Sequence, residues 1–413
     1  MARQIVLKEF EYLQYKDDSE KNYIKKEAFE ALEKFVLENE ETAQYLKITT
    51  KKSYGKVLQA QNYVGVMQIK DGTTIEILPK ISSLKDDEIT EENQKPKTKE
   101  DKSKEILIKM LKTLKNSPFK NFSMANLKSS KMPLLEIFIS MFLEELAKLI
   151  QKGIKSDYIT KEENLKFLKG KLLIGEQIKH NSIHKERFFV EHQEFLSDRV
   201  ENRLIKTTLK YLYKKSKTNK NQQRIREFLF VFDEIGLSHN VKTDFSKVKQ
   251  NRQMKQYEQV LLWCKTFLLE NSFSPYKGSD VAFALLFDMN MLFESYVGHY
   301  LKRKGFDVRL QDRGKYLVER PNKFALRPDI VIERRQSIVI ADTKWKIICE
   351  EKEISQSDMY QLYAYGKKYK NKKLYLIYPK DSDTQPQKLN YLYEEGLSLR
   401  IVYFDLFEDK FSN

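Results

Sequence analysis

The stretch Arg327-Pro-Asp-Ile-Val-Ile-Glu-Arg-Arg-Gln-Ser-Ile-Val-Ile-Ala-Asp-Thr-Lys-Trp-Lys346 reads as two short β-strands rich in Ile and Val, joined by a turn centred between Arg335 and Gln336. Any hairpin symmetric about that centre places Asp329 opposite Asp342. Directly paired strand residues hold their Cβ atoms about 4.5 to 5.5 Å apart, so both carboxylates can reach one divalent cation. The two-residue strand period puts Lys344 on the same face. A hard cation held by two carboxylates beside an ammonium can polarise a phosphodiester, acidify an attacking water and stabilise pentacovalent charge. A surface hairpin accounts for single charges, and isolated Asp-x-Lys triplets arise by chance. The specific signal is the whole spacing: Asp at the start of one apolar strand and Asp-x-Lys at the end of its partner.

Outward from this hairpin, the C-terminal part alternates helix and strand. Ala282 to Lys302 is expected as a long amphipathic helix stopped by Gly305. Phe306-Asp-Val-Arg-Leu precedes the hairpin, and a helix at about Ser355 to Lys370 leads into Leu374-Tyr-Leu-Ile-Tyr. Such alternation indicates an α/β layer fold over residues 259–413. Trp345 and Lys346 are expected to extend the second hairpin strand, with Trp345 as a packed anchor.

Residues 1–84 read as β-rich. Ile5-Val-Leu, Tyr45-Leu-Lys-Ile, Val57-Leu-Gln-Ala, Val64-Gly-Val-Met-Gln-Ile and Thr74-Ile-Glu-Ile-Leu are strand-like, with one helical stretch from Tyr23 to Glu41. Asp71-Gly72 signals a hairpin in which both turn residues take positive φ, and Pro79 ends the ladder. Residues 85–104 hold almost no apolar side chains and are expected as a charged linker or insertion. Residues 105–258 change to helical periodicity and form a helical middle domain. Within it, the block Lys214-Lys-Ser-Lys-Thr-Asn-Lys220, followed by Arg224 and Arg226, reads as a solvated loop or as a phosphate-contacting patch. The expected fold is thus a multidomain α+β chain.

Seventy-five Lys and Arg against 59 Asp and Glu give a formal charge of +16 over 413 residues, which favours a polyanionic partner. The most apolar long stretch, Leu134 to Ile150, is interrupted by Glu136, Glu144, Glu145 and Lys148 and cannot cross a bilayer. No apolar signal core follows Met1, so a cytoplasmic protein is expected. Cys264 and Cys349 make no disulfide framework. His180 and His184 have zinc-ligand spacing on a helix, but Asn181 stands where a metalloprotease needs Glu. No Gly-x-x-x-x-Gly-Lys-Ser/Thr is present, so any nucleotide-driven motor must come from another chain.

Pro328-Asp329 with Asp342-Thr343-Lys344 resembles the PD-(D/E)xK nuclease signature. A preceding helix acid, Glu294 or Asp288, and a following Gln361-x-x-x-Tyr365 are similar to the RecB-like branch. Val64-Gly-Val-Met-Gln-Ile, Ile75-Glu-Ile-Leu-Pro-Lys-Ile, Glu163-Asn-Leu-Lys-Phe-Leu-Lys-Gly-Lys-Leu, Lys185-Glu-Arg-Phe-Phe-Val and Leu286-Phe-Asp-Met-Asn-Met-Leu-Phe-Glu294 extend the likeness to the McrC family of McrBC-type restriction systems. The resemblance covers about residues 64 to 370. It implies a Mg²⁺-dependent DNA endonuclease subunit, with Mn²⁺ able to substitute, working with an McrB-like AAA+ GTPase that docks on the N-terminal region and middle helices. It further implies Asp329, Asp342 and Glu294 as metal ligands, Lys344 as the catalytic lysine, and Gln361 and Tyr365 as DNA-facing or site-bracing residues. A stand-alone repair or junction nuclease and a catalytically inactive DNA-binding adaptor are the competing readings.

Overall fold

Strand Gln4–Lys8 runs parallel to Thr74–Leu78, which pairs antiparallel with Tyr63–Ile69, and Val281–Asp288 closes the other side of that strand. The computed structural model describes residues 3–15, 22–37, 44–52, 54–81, 98–115, 117–120, 132–248, 252–270, 281–334, 337–381 and 388–412. The turn at Arg335 and Gln336 and most of the expected linker, 85–97, lie outside these residues. Contacts divide the chain into two compact units, Met1–Leu134 with Phe273–Asn413, and Leu135–Ser272.

In the first unit, the short apolar runs of the N-terminal region become strands because both their faces are covered: Val64, Val66, Met67, Ile75, Ile77 and Leu78 are all buried. Gly65 is required where it stands. A Cβ there would lie 2.0 Å from the Leu285 carbonyl oxygen, and its φ is +140°. The Asp71-Gly72 hairpin forms, but only Gly72 takes positive φ, +89°. Asp71 instead accepts hydrogen bonds from Thr73 N at 2.7 Å and Thr73 Oγ1 at 2.8 Å, holding the turn with its side chain. Strands Tyr12–Leu13, Gly55–Ala60 and Leu46–Lys51 make a second small sheet, and helix Lys26–Leu37 buries Phe29, Leu32, Phe35 and Val36.

Residues 99–104, read as the end of a linker, open helix Lys99–Leu111, because Thr98 and Asp101 form a reciprocal cap that satisfies its first amides. Ala282 to Lys302 is not one helix. It is strand Val281–Asp288 followed by helix Met289–Arg303, with Asp288 capping the helix through Asn290 N at 2.8 Å. Phe283, Ala284, Leu285 and Leu286 are buried in succession, as in a strand covered on both faces.

The larger sheet of this unit has the order Asp307–Leu310, Ile330–Arg334, Ser337–Thr343, Lys373–Lys380, Leu397–Asp405, Asn390–Glu394, with Lys410–Ser412 also on Leu397–Asp405. The first three strands are antiparallel neighbours; Ser337–Thr343, Lys373–Lys380 and Leu397–Asp405 run parallel. Helices Met289–Arg303 and Gln356–Tyr369 both pack on strand Ser337–Thr343. Val331 and Ile340 point into a core with Leu362, Tyr365, Leu374 and Leu376.

The second unit contains helices Val200–Lys215, Asn219–Val231, Val241–Lys247 and Glu258–Lys265 and all but the first residue of Leu134–Gln151. It is not purely helical. Strands Asp157–Leu165, Phe188–Leu196 and Lys171–Leu172 form an antiparallel sheet. Their sequence is too charged to alternate cleanly, and cross-strand ion pairs such as Lys161 with Glu194 at 2.9 Å take the place of an apolar face. Helix Ile174–Asn181 ends before His184, so His180 and His184 are not one helical turn apart; they contact Glu176 and Glu186 respectively. The basic block is organised by an acid from outside it. Glu136, 3 % exposed, accepts from Ser216 Oγ at 2.9 Å, Thr218 N at 3.1 Å, Thr218 Oγ1 at 2.8 Å, Asn221 Nδ2 at 2.7 Å and the Lys217 amide. These groups surround the N-terminus of helix Asn219–Val231, where negative charge is favoured. Among the described residues no helix is long and apolar enough to cross a membrane.

Candidate active site

The hairpin register pairs Ile330 with Ala341 and Arg334 with Ser337, so the position after the last paired residues sets Asp329 opposite Asp342, as the symmetric reading requires. Both belong to the face carrying Val331 and Ile340, toward helix Gln356–Tyr369. Asp342 is 2 % exposed, and the Lys344 ammonium lies 2.8 Å from its Oδ2. Lys344 also stands 3.5 Å from Asp358 and donates to Gln361 Oε1 at 3.4 Å. Gln361 Nε2 in turn donates to the buried Tyr365 hydroxyl at 2.7 Å. Gln361 therefore braces the lysine, and Tyr365 braces Gln361.

Asp329 is fixed from two sides. Its Oδ2 accepts from Thr343 N at 2.8 Å and Thr343 Oγ1 at 2.7 Å, and its Oδ1 from Gln311 Nε2 at 3.3 Å. The same Gln311 amide donates to Glu294 Oε2 at 2.7 Å. Glu294, on helix Met289–Arg303, thus joins Asp329 through Gln311, whereas Asp288 is spent on capping that helix.

The electrostatics of the three acids agree with their crowding. Burial, and then the Asp329 charge, pushes the Asp342 carboxyl up to about 7. Burial, then Asp329 and more weakly Asp342, pushes Glu294 up to about 8. Burial raises Asp329 as well, against the Thr343 hydrogen bonds and the Lys344 charge that pull it down. Burial acts to lower the Lys344 ammonium, but Asp342, Asp358 and Asp329 override it and hold it near 12. Such a site has surplus negative charge in a desolvated place, and all its acidic donors are oxygens; that is the environment a hard divalent cation fits. Among the described residues no three His, Cys, Asp or Glu side chains converge closely enough to enclose a metal on their own. The oxygens that could receive such a cation are those of the Asp329 and Asp342 pair, with Glu294 linked to Asp329 through Gln311.

The strand ends at Thr343 rather than continuing through Lys346. Trp345 turns inward, 4 % exposed, and its Nε1 donates to both Glu9 oxygens at 3.0 and 2.9 Å. Lys80 closes this knot: its amide donates to Glu9 at 3.0 Å and its ammonium to the Trp345 carbonyl at 3.0 Å. The residue next to Lys344 is thereby tied to the N-terminal strands. Sequence reasoning did not single out Gln311, Thr343 or Asp358. Asp358 was within reach, since it lies three residues before Gln361 on one helix and so shares its face.

A family model described as "McrBC 5-methylcytosine restriction system component" matches residues 58–379. Among solved structures, the chain is similar to one from a refined half-complex of the tetradecameric assembly of Thermococcus gammatolerans McrB AAA+ hexamers with bound McrC. That match has TM-score 0.70 and 20 % identity, covering 97 % of this chain and 94 % of the other. A chain of the Thermococcus gammatolerans McrBC complex solved by cryo-EM matches with TM-score 0.53 and 23 % identity, over 74 % and 89 % of the two chains. At these identities the likeness speaks for the fold. No curated protein matches the sequence.

Proposed function

The chain belongs to the McrBC family of 5-methylcytosine restriction system components, and from that premise we propose that it is the metal-dependent DNA endonuclease subunit of such a system, with a PD-(D/E)xK site. The observation that carries the reading is the convergence of Asp329, Asp342 and Lys344 at one end of the Ile330–Arg334 and Ser337–Thr343 hairpin. Asp329 and Asp342, with Glu294, would hold Mg²⁺ or Mn²⁺, which when bound supplies Lewis-acid polarisation of the phosphodiester and acidifies a bound water. Thr343 fixes the Asp329 carboxylate so that its remaining oxygen faces Gln311 and Glu294. Lys344, fully protonated at neutral pH, places its ammonium beside the scissile phosphate and stabilises the charge that develops there. Gln361 and Tyr365 hold that ammonium in place.

The site makes a linkage prediction. The Glu294 carboxyl keeps its proton up to about 8 in the folded chain but releases it near 4.5 when unfolded. The folded state therefore binds more protons between those values, and the stability this contributes is lost as pH rises through about 8. In chelator, the melting temperature of the wild type relative to Glu294→Gln should fall over that window, and Mn²⁺ should raise the wild-type value more at the alkaline end. An equal Mn²⁺ shift in a variant lacking both Asp329 and Asp342 carboxylates would sink the metal assignment.

The chain has no P-loop, and the complexes it resembles hold McrC on McrB AAA+ hexamers. We therefore place an McrB-like AAA+ GTPase as its partner. The chain alone should hydrolyse neither GTP nor ATP and should cut DNA poorly; partner plus GTP should switch cutting on, and chelator should abolish it. Efficient nucleotide-independent cutting by the lone chain would refute the partnership and favour a stand-alone nuclease.

A further inference from the structure

Between Gln311 and Asp329, both hydrogen-bonded within the site, the chain makes an excursion: strands Tyr316–Val318 and Lys323–Ala325 form a separate two-stranded hairpin. Its base is secured. Leu326 is buried in the core beside helix Gln356–Tyr369, its amide donates to the Lys315 carbonyl at 2.9 Å, and Tyr369 donates to Asp312 at 2.6 Å. Beyond that base almost every residue from Arg313 to Ala325 is exposed.

The composition of this projection is one-sided. Arg313, Lys315, Arg320, Lys323 and Arg327 stand against a single carboxylate, Glu319, which Lys368 already pairs at 3.2 Å. Phe324, in the middle of strand Lys323–Ala325, is 70 % exposed and holds φ at +56°, a conformation a bulky residue adopts at a cost. Among the described residues these five cations form no ion pair, and an exposed aromatic ring in a strained backbone is the kind of outlier that clusters at ligand contacts.

We infer that residues 313–327 form a DNA clamp, whose cations take the phosphates of a duplex and whose Phe324 ring packs against its bases or sugars, delivering one strand to Asp329 and Asp342. The inference rests on the nuclease reading above. Charge complementarity selects the occupant: a polyanion satisfies the cations, while an apolar protein surface would bury them unpaired. Because the two ends of the hairpin run directly into Gln311 and Asp329, a backbone held along it lies beside the acids without any further element.

The test uses the full chain with a fluorescent DNA duplex in chelator, so that binding is read without cutting. Arg320→Gln with Lys323→Gln should weaken binding and reduce the slope of log affinity against log salt by about 2, one unit for each lost phosphate contact. Phe324→Ala should weaken binding about tenfold with the slope unchanged, and Phe324→Trp should restore it. In the assembled system these variants should raise KM with kcat nearly kept, and their Mn²⁺-induced thermal shift should equal that of the wild type. Wild-type affinity and slope in both variants, while the wild type cuts DNA, would overturn the clamp alone. Wild type that neither binds nor cuts would overturn the nuclease reading itself. Variants that bind DNA normally but fail to join the partner would overturn the clamp and make the hairpin a protein-docking surface.

Discussion

Asp342→Asn will lower DNA cleavage by at least about a hundredfold while leaving the chain as stable as the wild type or more so. The first effect follows from the proposed role of Asp342: the substitution removes one preorganised charge where the metal and the developing phosphorane would meet. The second follows from the environment of that carboxyl. Burial and Asp329 hold it near 7, so at neutral pH its charge works against folding, and a neutral amide of the same shape relieves that opposition. Lys344→Ala should cost a similar factor in cleavage, but it leaves Asp342 buried without its ammonium and should lower the melting temperature. Assembly with the partner and GTP turnover should survive in Asp342→Asn, since its surroundings are intact. Near-normal cleavage by both variants would refute the active-site assignment. A drop in the melting temperature of Asp342→Asn would refute the electrostatic account of it.

Glu136→Ala is expected to destabilise the second unit by more than about 3 kcal/mol, since it leaves several buried donors unpaired at about 1 to 3 kcal/mol each. Five donors from Ser216, Lys217, Thr218 and Asn221 converge on this carboxylate, and none is a cation. Deleting it strands them at a helix N-terminus. Glu136→Gln should cost less, about 1 to 3 kcal/mol, because one amide oxygen remains to accept. Urea unfolding should show the second unit melting early in Glu136→Ala while Mn²⁺ still shifts the first. A change below about 1 kcal/mol would mean that water replaces the carboxylate freely at this place.

The Asp329 to Asp342 register was legible because a strand repeats every two residues and the turn fixes one centre; those rules determine which side chains meet before any contact is known. Lys344 follows from the same strand period, whereas Gln361 comes from the resemblance of Gln361-x-x-x-Tyr365 to the RecB-like branch. Gln311 was not legible: it comes from another strand end, and only the pairing of Asp307–Leu310 with Ile330–Arg334 brings it to Asp329. Ala282 to Lys302 resists a sequence reading because its opening run, Ala282 to Phe287, is continuously apolar and has no period to separate a buried strand from a buried helix. Asp288, which looked like a rival to Glu294, was in fact the punctuation between the two elements. The sheet of the second unit shows no clean two-residue alternation, because charged side chains such as Lys161 and Glu194 stand along its strands and pair across them.

Strand Val281–Asp288 completes a sheet begun by residues 4–78, and the whole of the second unit is written between them. On the ribosome this becomes a matter of time. Strand Tyr63–Ile69 emerges with one edge taken by Thr74–Leu78 and the other open, and about 200 more residues must be made before its partner exists. At roughly 5 to 20 residues per second that is about 10 to 40 s. Meanwhile the contiguous second unit can fold on its own, and an edge carrying Val64, Val66 and Met67 stays available to any neighbouring nascent chain. Slower translation should then lower, and holdase supply raise, the share of the protein recovered intact.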